Sequence, residues 1–306
     1  MPATSAPEPL VTIVTACLNS GRFVEQTILS VLEQGYPRLE YIVMDGGSTD
    51  GTIEILKKYE ARLRWRSSPD KGAADAINKG FALGSGAILG FLNADDLYLP
   101  GAVSAAVRHL REAEDAGVYG DAWWIDEAGG RIAPYPVKEF DRAALNRGCF
   151  ICQPASLFRR SAFESVGGLD PDLHLAFDYD FWLRLTRTHR LRRIPEALAE
   201  SRMHRANKTL GQREAAFRET FRVLKRNCGY VPFPWVYSYL CYRADARDQF
   251  FEPLQPSILR YVESLPAGLW LNPGAMGEYA REWASIMSWS ALRRRLAAFQ
   301  IGKIPG

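Results

Sequence analysis

The sequence predicts an α/β protein built on a mostly parallel central sheet, and three observations carry that prediction. Apolar, β-branched runs alternate four times with amphipathic stretches between residues 10 and 92, which calls for parallel strands with helices on both faces. The stretch from 117 to 199 is mixed, with a hairpin and further strands, so antiparallel additions are expected around the parallel core. Acidic residues also stand where strands give way to loops: Asp45, Asp70, the pair Asp95-Asp96, and Asp178. An open α/β sheet binds its ligands outside the carboxyl ends of its strands.

Taken in order, Leu10–Ala16 reads as a buried strand ending at Cys17-Leu18-Asn19-Ser20-Gly21. Asn19 or Ser20 can cap a helix whose apolar face is Val24, Ile28, Val31 and Leu32. Tyr36-Pro37 breaks that helix, and Glu40–Met44 is the second strand. The turn at Gly46-Gly47-Ser48-Thr49-Asp50-Gly51 leads into a helix from Thr52 to Tyr59. Leu63–Arg66 is a short third strand, Ala73–Leu83 a helix, and Ala87–Leu92 a fourth strand running into Asn93-Ala94-Asp95-Asp96. A helix from Pro100 to Glu114 precedes a hairpin over 117–136 that turns at Glu127–Gly130. Cys149–Phe158 reads as a strand, Arg160–Val166 as a helix stopped by Gly167-Gly168, Asp178–Thr188 as a helix and Arg193–Ala199 as a last strand. Beyond about 210 the character changes to a basic amphipathic helix over 211–227, an aromatic stretch Tyr230–Tyr242, and helical pieces ending near Arg293-Arg294-Arg295.

Composition excludes several classes. The net charge of +3 is too small to argue for nucleic acid, and 47% apolar residues suffice for a large core. Five scattered cysteines make no disulfide framework and fit a reducing compartment. Cys149-Phe150-Ile151-Cys152 has the spacing of a metal or redox pair, but it lacks a second pair and reads as buried strand. Residues 1–9 have neither a basic n-region nor a long apolar core, so a disordered lead-in is expected rather than a signal peptide. No run of about 18 apolar residues appears, so no transmembrane helix is expected.

The acidic positions carry the chemistry. A dinucleotide-binding turn needs three spaced glycines between the first strand and helix, and Ala16–Gly21 offers one, so nicotinamide and flavin binding are excluded. Asp45 closes a strand and precedes two glycines that let a ligand approach the backbone. It either accepts a hydrogen bond from a pyrimidine imide or simply forms a turn. Asp50 reads as a cap for the next helix. Asp95 and Asp96 after a buried strand suit a hard cation, held through one or two carboxylates and substrate phosphates, although such pairs also cap helices. His204 stands among Arg202, Arg205 and Lys208, a setting that suits a phosphate-bearing ligand. Asp178 and Asp180 diverge on their helix, and Asp178, at its start, is the one expected to face the cleft, while Trp182, Leu183 and Leu185 face the core.

The ordered set resembles family 2 glycosyltransferases of the GT-A nucleotide-sugar-binding fold, over roughly residues 9–209. The pieces are the opening strand to Asn19, Asp45–Thr52, Asp70-Lys71-Gly72, Asp75–Gly80, Leu92–Asp96, Gln153–Ser156, Asp178–Leu185 and His204. The resemblance implies that Thr15, Cys17, Asn19, Asp45, Asp70, Lys71 and Asp95 line the nucleotide-sugar. Within that set Asp45 reads uracil and Asp70 contacts the nucleoside. It implies Mg²⁺ or Mn²⁺ held by Asp96 and His204, and Asp178 as catalytic base. Phe177 stands where the family commonly has a second acid, and Thr15-Ala16-Cys17 where it commonly has a Pro. Both departures are local, and the first leaves Asp178 and Asp180 as rival bases.

The implied reaction is an inverting transfer from a nucleoside diphosphate sugar, UDP-linked, to an acceptor hydroxyl. A saccharide or lipid-linked saccharide of a bacterial cell surface is the expected acceptor. The location expected is cytoplasmic, with possible peripheral association at the inner membrane face. Residues 210–306 would then form a helical extension, acting as a cap or a membrane-surface element. A sugar nucleotidyltransferase would carry a Gly-rich basic loop where Cys17–Gly21 stands, and a non-catalytic carbohydrate-binding protein would not need Asp95, Asp96 and Asp178 together.

Overall fold

Apolar alternation builds the sheet of the protein, which a computed structural model describes for residues 7–204, 207–245 and 256–286. The first half runs β1 (Val11–Cys17), α1 (Val24–Leu32), β2 (Leu39–Asp45), α2 (Thr52–Lys58), β3 (Arg64–Ser67), α3 (Ala73–Leu83), β4 (Ile88–Asn93), β5 (Leu97–Tyr98) and α4 (Ala102–Glu112). It continues with β6 (Gly117–Ile125), β7 (Arg131–Pro134), α5 (Arg142–Arg147), β8 (Ser156–Arg159), α6 (Arg160–Ser165), α7 (Phe177–Leu185) and β9 (Leu191–Arg202). The C-terminal helices are α8 (Lys208–Gly211), α9 (Arg213–Cys228), α10 (Phe233–Asp245), α11 (Ile258–Leu271) and α12 (Met276–Ala284). Most of the expected lead-in and the whole Arg293–Arg295 run lie outside the described residues.

The described strands form a nine-stranded sheet in the order β3-β2-β1-β4-β8-β6-β9-β5, with β7 paired to β6. β1, β2, β3 and β4 are mutually parallel, and Cys17 lies opposite Asp45 at the carboxyl end. β8 runs antiparallel to both β4 and β6, the expected mixed second half. Side chains alternate across the sheet. Val11, Ile13 and Cys17 pack with α1, α2 and α4 on one face, whereas Val14 packs with α3, α6 and α7 on the other.

The last strands depart from the sequence reading. Of the expected Cys149–Phe158 strand only Ser156–Phe158 falls in β8, because a 3₁₀ turn at Gln153–Ala155 interrupts it. Cys149 and Cys152 therefore sit in a loop, as free thiols. The composition change near 210 does not mark a new core. Phe217, Phe221 and Leu224 of α9 and Phe233 and Tyr237 of α10 join the same apolar cluster as α3 and α7.

Candidate functional site

The carboxyl ends of β1 and β2 meet the loops that follow them in a hydrogen-bonded knot. Asn19, at φ 51°, accepts from the Thr49 N–H, and its own N–H donates to Ser48 Oγ at 2.7 Å. Asp50 accepts from the N–H groups of Gly21 and Thr52; the N-cap position of α2 is Gly51, so Asp50 reaches the first helical N–H from one residue earlier and ties the two loops together.

Asp45 sits at the centre of this knot and is 2% exposed. Its carboxylate accepts from the N–H groups of Gly47 and Ser48, from the hydroxyls of Ser48 and Ser67, and from Cys17 Sγ at 3.6 Å. Burial raises its pKa, but these donors outweigh burial and hold the carboxyl below its usual range. Of the two sequence readings, the geometry shows the turn. All five of these donors belong to the protein, so the Asp45 carboxylate organises the loop. Cys17 is buried against this carboxylate, and burial pushes its thiol pKa up, with Asp45 adding to the shift. Thr15 lies two residue pairs inside the strand end; its side chain is fully buried and its hydroxyl accepts from Tyr41 at 3.0 Å.

Asp70 lies beside this knot with more freedom. Oδ1 accepts from the Gly72 N–H at 2.7 Å. Oδ2 faces Gly46 so closely that a Cβ there would stand 2.9 Å from it, and only glycine admits this approach. Lys71 is exposed. Gly72 holds φ 127°, and a Cβ on it would meet His174 Nδ1 at 2.8 Å, which brings the 170–176 loop against the Asp70 loop.

After β4 the two adjacent acids divide. Asp95 is partly exposed and contacts His204 Nε2 at 3.0 Å. Asp96 is 3% exposed; it accepts from the Arg202 N–H at 2.9 Å and from Asn93 Nδ2 at 3.0 Å. Burial, with the Asp95 charge beside it, pushes the Asp96 pKa up to about 8. The sequence reading put Asp96 with His204 on the cation and Asp95 on the nucleotide-sugar. In the structure Asp95 and His204 are the more exposed donors and Asp96 is buried beside them.

Arg202, read from sequence as a phosphate ligand, is fully buried. It donates to the carbonyls of Asp95, Asp126 and Glu127 and to Gln26, and its guanidinium lies 4.8 Å from the Phe23 ring centre. It is a structural clamp behind the acid loop. Lys208 is exposed, and Arg205 lies outside the described residues.

The side chain of Gln153 fixes the far wall. It donates to the Phe91 carbonyl at 2.6 Å and accepts from Asn93 at 3.3 Å. Its neighbour Cys152 is buried, and burial pushes its thiol pKa up, with the Asp96 and Asp178 charges adding to the shift. Asp178 stands in the first turn of α7, partly buried, and accepts from the Tyr179 N–H at 2.7 Å. Burial raises its pKa to about 6. Asp180 is fully buried and paired with Arg184 at 2.7 Å and Arg226 at 2.6 Å, and Asn227 donates to it at 2.8 Å. These partners belong to α7 and α9, and none is in the acid loop.

Sequence reasoning missed the work of Asn93 and Gln153. Gln153-Pro154-Ala155-Ser156 was noticed as a motif, yet a glutamine in an apolar stretch gives no sign of which backbone carbonyl it will satisfy.

The glycosyl transferase family 2 model matches residues 12–167, about half the chain and every strand end described up to Gln153. The chain belongs to glycosyl transferase family 2. An uncharacterised glycosyltransferase of Mycobacterium tuberculosis is 34% identical over 187 residues, covering 58% of this chain and 68% of the relative. The fold of this family 2 chain is also that of S. aureus TarS 1-349 in complex with UDP-GlcNAc, with a TM-score of 0.64 and 14% identity, over 95% of this chain and 89% of that one. The mannosyltransferase PcManGT from Pyrobaculum calidifontis, in complex with GDP-Man and Mn²⁺, aligns with a TM-score of 0.54 and 18% identity, over 98% and 83%.

A divalent cation fits the outward donors. Asp95 offers an oxygen and His204 a nitrogen, and Mg²⁺ or Mn²⁺ takes one or two protein ligands and completes its shell with phosphates and water. Among the described residues no group of three or more His, Cys, Asp or Glu forms an all-protein cage. Burial first, and then the Asp95 charge, raises the Asp96 pKa, and a bound cation would favour the ionised form.

Proposed function

We propose that the protein is an inverting glycosyltransferase that moves a sugar from a UDP-linked donor to an acceptor hydroxyl, with Asp178 as the base. The observation that carries this reading is the pair of acid positions: the Asp95-Asp96 loop that follows β4 beside the β1–β2 knot, and Asp178 in the first turn of α7. One acid belongs to the loop suited to a diphosphate and a cation; the other is a carboxylate with a pKa near that of a working base.

Asp70 and the backbone of the Gly46 turn would hold the nucleoside, with Asp45 keeping that turn in shape. Asp95 and His204 would hold Mg²⁺ or Mn²⁺, which when bound supplies positive charge to the leaving diphosphate. Asp178 takes the acceptor's proton as its oxygen attacks the anomeric carbon from the face opposite the diphosphate. One displacement inverts that carbon, and no second carboxylate nucleophile is needed. The UDP preference is supported by the TarS complex with UDP-GlcNAc, and the cation by the PcManGT complex with Mn²⁺. A screen of UDP- and GDP-sugars for saturable, Mn²⁺-dependent release of the nucleoside diphosphate tests the proposal; no release from any donor would refute it.

For the acceptor, we propose a lipid-linked saccharide reached at an anionic membrane surface. The outward face of α11 is apolar: Ile258, Leu259 and Val262 are more than half exposed, and Trp270 is 80% exposed. These positions fall on one side of a helix. Residues 211–306 carry 13 Lys and Arg against eight Asp and Glu, and basic charge with apolar anchors is what binds such an interface. No helix among the described residues is long and apolar enough to cross a membrane. Residues 210–306 on this reading both complete the core and face the membrane.

A further inference from the structure

Glu219 is an acid in the middle of α9, beyond the residues matched by the family model. It is 4% exposed. One oxygen, Oε1, accepts from three consecutive backbone N–H groups: His174 at 3.0 Å, Leu175 at 2.6 Å and Ala176 at 2.7 Å. The other, Oε2, receives Arg222 at 3.5 Å. A buried carboxylate is costly unless hydrogen bonds satisfy it, and here the three bonds to Oε1 all come from one short segment of chain.

That segment has two neighbours of consequence. His174 lies against Gly72 of the Asp70 loop. Ala176 is the residue on which α7 begins, two before Asp178, and no side chain of that loop caps the helix. A negative group at a helix N-terminus is favourable, so Glu219 also supplies from a distant element the cap that α7 lacks.

We infer that Glu219 is a positioning residue for the transfer reaction, fixing the 174–176 backbone so that Asp178 and the Asp70 loop keep their relative placement. This inference rests on the reading of Asp178 as base. Glu219 touches neither donor nor acceptor; it acts through the backbone it holds. A residue with that role changes the chemical step more than donor binding.

The test uses the full chain, Mn²⁺ and whichever UDP- or GDP-sugar the wild-type protein turns over, with nucleoside diphosphate release as the signal. Glu219→Ala should lower kcat by about 10–100-fold with donor KM within about twofold. Glu219→Gln, which keeps the Oε1 acceptor, should recover most of that loss. Glu219→Asp keeps the charge but is one methylene short, and should behave like Glu219→Ala. Should Glu219→Ala fail to fold, the Gln and Asp variants carry the comparison. A kcat unchanged in Glu219→Ala or Glu219→Asp overturns the inference, as does a Gln variant no better than Asp. Asp178→Asn in the same assay separates the two claims. Wild-type turnover there removes the base reading. A loss there beside a fully active Glu219→Ala removes only the positioning role.

Discussion

Replacing Asp178 by Asn exchanges one oxygen for an amide and leaves the side chain almost unchanged in shape. The amide oxygen can still accept the Tyr179 N–H that Oδ1 accepts at 2.7 Å, so the first turn of α7 should stay in place. What is lost is the proton acceptor. With a pKa of about 6, the wild-type group is almost fully ionised at pH 7.5, so the whole contribution of a general base is removed. That is about 10²–10⁴-fold in turnover, or about 3–5 kcal/mol in the barrier. Asp180→Asn is the internal control. It strips the anion from Arg184 and Arg226 in a fully buried setting, and should cost about 3 kcal/mol of stability, the low end for a broken buried pair because Arg226 is 49% exposed. The assay pairs thermal unfolding with donor turnover and nucleotide affinity. Asp178→Asn should keep its nucleotide affinity, lose turnover and show no loss of Tm, with a gain at pH 7 where the wild-type acid is ionised; Asp180→Asn should lose Tm by roughly 6–12 °C and keep most turnover when folded. The opposite ranking in turnover would refute the assignment and make Asp180 the base.

Turnover should fall on the acid side with an apparent pKa near 6, because protonation removes the base; a flat profile from pH 5 to 8 would contradict this. The folded pKa of Asp178 is raised, so its proton is held more tightly in the folded state, and the resulting stability is present below about pH 4 and lost as pH rises through 6. Asp178→Asn should therefore gain stability over the wild type at pH 7 and match it at pH 4, as denaturant melts would show. Cation binding should tighten between pH 6 and 8 with proton release, since Asp96, raised to about 8 without a cation, must ionise beside one; calorimetry in buffers of different ionisation enthalpy measures the proton count. Asp96→Ala should destabilise the fold, because it strands the Arg202 N–H and Asn93 amide, at about 1–3 kcal/mol for each group left unsatisfied. Trp270→Glu with Ile258→Glu should abolish sedimentation with anionic vesicles without changing Tm, both residues being exposed.

The parallel half of the sheet was legible because each strand is a short apolar run closed by its own turn chemistry, and the acids that end β2 and β4 follow directly from it. What the sequence could not show was which carboxylate oxygens remain free. Asp45 looks available as text and is filled by Ser67, a partner 22 residues on. Arg202 looks like a surface cation, and is buried because Gln26 and three carbonyls converge on it from distant segments. The strand read over Cys149–Phe158 failed at Gln153-Pro154, where the chain turns so that a glutamine can reach Phe91. Asp178 and Asp180 could be ranked by helical position, but the reason Asp180 faces inward lies in Arg226 of α9, beyond the part of the chain that carries the resemblance.

Calorimetric titration of UDP in the presence of Mn²⁺, compared between the wild type, Asp95→Ala and Asp178→Asn, asks whether the acid cluster is a donor site. Asp95, in the loop after β4, bonds His204, while Asp178 belongs to the first turn of α7. The structure predicts saturable UDP binding in the wild type, its loss by at least tenfold in Asp95→Ala, and wild-type affinity in Asp178→Asn. UDP binding that survives intact in Asp95→Ala, or that is absent from the wild-type protein, would contradict it.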